Sequence, residues 1–190
     1  DLNINGEIID EKSEFNKLIC DERVERILDI SDKYGCDDNI IRGIVFCSRK
    51  DEAYELANKF NLKGRKSITL TGSQSEDERE NAIQQLESDN LEEKLEFIFA
   101  VDIFNEGIDI PRINQIIMLR PTQSNIIFIQ QLGRGLRRFE KKEYLTVIDF
   151  IGNYQNNFLI PVALFGDTSY NKDNLRKLLY AGSAHIPGAS

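Results

Sequence analysis

Apolar positions along the chain follow two alternating rhythms. In "FNKLICDERVERILDISDKYG", from Phe15 to Gly35, they recur at three- and four-residue intervals and predict one helix closed by a Gly35 C-cap. "IIRGIVFCS" replaces that rhythm with a run of β-branched and aromatic residues, the mark of a buried strand. "DEAYELANKF" returns to helical spacing, with Ala53, Leu56, Ala57 and Phe60 on one face. "SITLTG" predicts a second strand and "SEDERENAIQQLES" a helix begun by Ser75. "LEFIFAV" and "INQIIML" predict the third and fourth strands, "SNIIFIQQL" a helix, and "YLTVIDF" a fifth strand.

Short strands alternating with helices define an α/β fold, a parallel sheet flanked by helices and wound by right-handed crossovers. In such sheets ligands collect beyond the carboxyl ends of the strands. The segments leaving those ends are "SRK", "TGS", "DIFNEGIDIP" and "RPTQS", rich in hydroxyls, cations, glycines and carboxylates. Residues 41–150 form the regular core. Residues 1–40 are a helical lead-in that either packs beside the sheet or links to a preceding domain. Residues 151–190 are a truncated C-terminal extension, with a helix expected around Asp173–Tyr180 and a frayed end. A first residue other than Met and an abrupt end in "HIPGAS" suggest a piece of a longer protein.

Composition narrows the class. With 41% hydrophobic and 29% charged residues, the chain has the make-up of a globular protein. No apolar run reaches the ~20 residues that span a bilayer, so no membrane partner is expected. Three cysteines without paired spacing and a single His argue against a disulfide framework or a metal site. A reducing, cytoplasmic setting fits best. The net charge of -8 weighs against an indiscriminate coat for nucleic acid.

Against that acidic background, "QQLGRGLRR" gathers three arginines and two glycines. A helix C-terminus would account for Gly133 and one cation. It accounts less well for Arg134 and Arg137 three apart, with Gln130 four residues upstream. Guanidinium forks match phosphate oxygens, so the pattern reads as a polyphosphate clamp. "AVDIFNEGIDIP" adds a tight backbone at Gly107 and a carboxylate at Asp109, although an ordinary strand-to-helix loop would look similar. Ser48, Thr71 and the backbone beside Gly72 could hold strand phosphates, or could equally be caps and a turn. "DEAY" at Asp51 suits a helix first turn rather than an acidic box, and no G-x-x-x-x-G-K-[ST] cradle exists in the chain. The arginines therefore address a polyphosphate seated on another domain.

From Gly43 to Arg138 the chain resembles the second RecA-like motor domain of superfamily-two helicases. "GIVFCSRKDEAYELANKF" is similar to their motif IV, "AVDIFNEGIDIPRINQIIMLRPT" to motif V and "QQLGRGLRR" to motif VI. The wording resembles most a bacterial DEAD/DEAH-type branch with relatives among restriction and repair motors. The resemblance implies a RecA-like sheet and an ATP-dependent helicase or translocase. ATP and Mg²⁺ would be bound mainly by a first motor domain in cis, so this chain alone would be inactive. It implies Arg134 and Arg137 as arginine fingers, Gln130 arranging the γ-phosphate region, and Gly107 and Asp109 approaching the nucleotide. It places Ser48, Arg49, Thr71, Gly72, Val101 and Asp102 against a nucleic-acid backbone; the partner is expected to be DNA more than RNA. Many relatives carry Thr where this chain has Val101, so a side-chain contact to phosphate is impossible there. The alternative is a non-catalytic RecA-like scaffold that binds nucleic acid or protein.

Overall fold

The computed structural model describes residues 2–4, 7–9, 14–36, 39–90, 92–103, 110–120 and 144–150. Two short strands, β1 (Leu2–Ile4) and β2 (Glu7–Ile9), pair antiparallel. Helix α1 (Phe15–Leu18) and helix α2 (Asp21–Tyr34) follow. The core alternates β3 (Gly43–Phe46), α3 (Lys50–Leu62), β4 (Ser67–Leu70), α4 (Glu76–Glu87), β5 (Phe97–Ala100), β6 (Gln115–Met118) and β7 (Thr146–Asp149). The last five strands form one sheet in the order β4-β5-β3-β6-β7, with every neighbour parallel. All five predicted strands are present, each trimmed to four residues.

Burial on both faces explains why those strands read as unbroken apolar runs. On one face Val45, Phe97, Phe99 and Ile117 pack with Val24, Ile27 and Leu28 of α2 and Leu56 and Phe60 of α3. Phe60 meets Phe97 and Phe99 edge-on, with ring centroids 5.3 and 4.9 Å away. Such pairs contribute about 0.5–1.5 kcal/mol each beyond their buried area. On the other face Ile44, Phe46, Ile98 and Ile116 pack with Ala82 and Leu86 of α4 and with Ile110 and Ile113. Gly43 opens the central strand because a Cβ there would stand 2.5 Å from the Phe97 ring.

The predicted helix from Phe15 to Gly35 is two helices, broken at Ile19 and Cys20. Its second part packs beside the sheet through the apolar face just named. Gly35 ends it at φ 55, with its N–H donated to the Ser31 carbonyl, as the sequence predicts. Ser75 caps α4 in a reciprocal box with Glu78, whose carboxyl is held below its usual range by the Ser75 backbone N–H. Asp51 and Glu52 occupy the first turn of α3. The helix predicted over "SNIIFIQQL" and the one around Asp173–Tyr180 fall outside the described residues.

Candidate functional site

A parallel sheet puts all its strand exits on one edge, and the described candidates gather there. Ser48 and Arg49 follow β3, Thr71 and Gly72 follow β4, and Val101 and Asp102 follow β5. Gly107, Asp109, Gln130, Arg134 and Arg137 lie outside the described residues.

The six described candidates differ in what already engages them. The Ser48 hydroxyl is buried and has no hydrogen-bond partner among the described residues. It does not cap α3, whose N-cap position is Arg49. Arg49 is exposed and forks onto Asp51 through Nε at 3.0 Å and Nη2 at 2.6 Å, with its guanidinium 5.3 Å above the Phe15 ring. Asp51 is correspondingly held below the usual carboxylate range by that guanidinium.

Thr71 is fully buried and committed to its own turn. Its N–H donates to Gln74 Oε1 at 2.7 Å, and its hydroxyl lies 2.7 Å from the Ser73 hydroxyl. Gly72 is exposed, with open space where a Cβ would stand, and its carbonyl accepts from Arg79 Nη2 at 3.2 Å. Val101 belongs to the apolar core and donates its N–H to the Leu70 carbonyl at 3.1 Å. Asp102 has φ 52, a left-handed conformation that short polar side chains tolerate. Its carboxylate is exposed and accepts from Arg120 Nη1 at 2.7 Å.

Two features of this edge were not singled out from sequence. Arg120, two residues past the end of β6, is mostly buried, and its Nε has no partner among the described residues. Its signal was the first residue of the strand-exit segment "RPTQS", placed by strand register two residues beyond Met118. The second is a buried ion pair beneath the edge, Arg23 Nη1 to Glu52 Oε1 at 2.7 Å, with 2% and 1% exposure. Arg23 also donates to the Leu18 carbonyl, tying the α1–α2 junction to the first turn of α3. Burial pushes the nearby Cys47 thiol well above its ordinary range; Glu52 adds to the effect, and Arg23 and Arg120 oppose it. No group of three His, Cys, Asp or Glu side chains able to hold a metal ion occurs among the described residues. No described helix is long and apolar enough to cross a membrane. A hollow of about 340 Å³ between α2 and β7, lined by Ile30, Tyr34, Val147 and Phe150 among others, contains none of the candidates.

A five-stranded, all-parallel sheet flanked by helices is a RecA-like fold. Residues 22–139 match the family described as the helicase conserved C-terminal domain, and the chain belongs to that family. The matched residues include every candidate from Ser48 to Arg137. The chain is 34% identical over 109 residues to the Saccharomyces cerevisiae protein named "Putative ATP-dependent helicase IRC3", covering 57% of this chain and 15% of that protein. It is 30% identical over 139 residues to the pre-mRNA-splicing ATP-dependent RNA helicase prp28 of Schizosaccharomyces pombe, covering 70% and 20%. It thus spans a fifth or less of either relative's length. The fold is shared with the E. coli DEAD-box protein SrmB at a TM-score of 0.53 and 20% identity, covering 77% of this chain and 76% of that one.

Proposed function

We propose that this chain is the second motor domain of an ATP-dependent nucleic-acid helicase or translocase. The single observation that carries the reading is Gln130, Arg134 and Arg137 within "QQLGRGLRR", inside the segment that matches the helicase C-terminal family. Guanidinium pairs fit the oxygens of a polyphosphate, so the chemistry of this donor set suits a nucleotide. ATP and Mg²⁺ would be held mainly by a first motor domain, and ATP supplies the free energy of phosphoryl transfer when bound there.

Arg134 and Arg137 act as fingers that neutralise charge developing on the transferred phosphoryl group. Gln130 arranges the same region, and Gly107 and Asp109 approach the nucleotide's phosphate and ribose. Ser48, Arg49, Thr71, Gly72, Val101 and Asp102 form the face turned to the nucleic-acid backbone. Within that face, exposed Arg49 and the unpartnered Ser48 hydroxyl are the groups best placed to hold phosphate. Thr71 and Val101 shape the edge instead, through their turn and their core packing. Backbone contacts of this kind serve DNA and RNA alike and predict little sequence preference with marked salt dependence.

The test uses the full-length protein. Arg137→Ala is expected to cut ATP turnover on the order of 10³–10⁵-fold while ATP binding and the thermal midpoint persist. Unchanged turnover would remove the finger assignment and, with it, this reading.

A further inference from the structure

The exits of three adjacent strands line up in register. Phe46 of β3 pairs with Ala100 of β5 on one side and with Met118 of β6 on the other. The ladder continues one residue further, with Cys47 N–H donated to the Ala100 carbonyl at 3.0 Å and Leu119 N–H to the Phe46 carbonyl at 2.9 Å. One step beyond stand Asp102, Ser48 and Arg120, in that order across the sheet. The 2.7 Å ion pair between Arg120 and Asp102 therefore reaches across the exit of β3, where the Ser48 hydroxyl is buried without a partner. The Arg120 charge also acts on the thiol of Cys47, the residue before Ser48.

A buried hydroxyl and a buried guanidinium Nε with no partners are costly in a finished interior. They belong to the exits of neighbouring strands, and both are donors suited to an anion. The anion that now engages Arg120 is Asp102, on a backbone conformation uncommon for a residue with a side chain. Its side chain is 71% exposed, so solvent and an incoming anion can reach the pair.

We propose that the Asp102–Arg120 ion pair is a latch over a phosphate subsite. Asp102 holds the place of a backbone phosphate, which displaces it, takes the Arg120 guanidinium and accepts from the Ser48 hydroxyl. This rests on the nucleic-acid reading of the edge and adds Arg120 as a contact and Asp102 as an internal competitor. Each turn of a motor cycle must release the strand as well as grip it, and a carboxylate one exchange away lowers the cost of release.

The experiment measures binding of the full-length protein, without nucleotide, to labelled single-stranded homopolymers of thymidine and of uridine across a salt series. Asp102→Asn, which suits the same backbone conformation, is expected to tighten binding about three- to tenfold. Arg120→Gln is expected to weaken it and to lower the slope of log K against log salt by about 0.7, the share of one phosphate on a single strand. Ser48→Ala should weaken binding without moving that slope, and the double variant D102N/R120Q should bind like R120Q alone. Thermal midpoints of all four confirm the fold, and Ser48→Ala keeps the subsite testable should Arg120→Gln lose it. Weaker binding by D102N, or equal effects of D102N with and without Arg120, would overturn the latch. Binding that none of these substitutions alters would also overturn it while leaving the motor reading intact. A wild-type protein that ignores both strands at every salt would sink the nucleic-acid reading itself and the latch with it.

Discussion

Two buried polar positions, one at each edge of the central sheet, are engaged very differently. At the amino edge Gln115, fully buried, is engaged on both sides of its amide. Its Oε1 accepts from the Ser31 hydroxyl at 2.5 Å, and its Nε2 donates to the carbonyls of Ser31 at 3.0 Å and Gly35 at 3.4 Å. Thr146 adds a bond to the same Gly35 carbonyl at 3.1 Å, so α2 is stitched to β6 and β7. At the carboxyl edge the Ser48 hydroxyl and Arg120 Nε are buried without partners, and Asp102 adopts a left-handed backbone. Satisfied polar networks help specify a fold, whereas a buried polar group without a partner calls for an explanation, which the proposed phosphate subsite supplies.

That contrast can be broken or sharpened by four substitutions, all read by chemical unfolding. Arg23→Ala leaves Glu52 buried without its cation and should cost about 3–5 kcal/mol. A cost near zero would mean that the floor beneath the carboxyl edge is not held by this pair. Gln115→Ala strands the Ser31 hydroxyl and is expected to cost about 1–3 kcal/mol, the signature of a structural edge. Ser75→Ala removes the α4 cap beside the turn at Thr71 and should cost about 1 kcal/mol. Ser48→Ala deletes a group with no partner to lose, so stability should stay within about 0.5 kcal/mol. Equal costs for Gln115→Ala and Ser48→Ala would erase the difference between the edges.

Much of this architecture was legible before any coordinates. Each strand announced itself because both faces of a parallel sheet are buried, which forces runs such as "IVF" and "FIF". Ser75 and Gly35 marked helix ends because capping is local chemistry carried by one or two residues. The break at Ile19–Cys20 was hidden, since both residues continue the apolar periodicity of the flanking turns. Arg23 was hidden for the opposite reason. It sits in "DERVER", which reads as a solvated face, and its partner is 29 positions later on another helix. The Asp102–Ser48–Arg120 row needs the strand order β5-β3-β6, which sequence alone does not rank. Thr71 and Val101 were marked by motif position, and the structure shows what each side chain does: one closes a turn, the other fills the core. Gly107, Asp109, Gln130, Arg134 and Arg137 were marked in the same way and fall outside the described residues.

The most direct test is a structure of the full-length protein holding a nonhydrolysable ATP analogue and a single strand. The account predicts that the strand's phosphates lie along the exits of β3, β5 and β6, with Arg134 and Arg137 directed at the γ-phosphate position. A strand lying along the amino edge, with those two arginines turned to solvent, would contradict it.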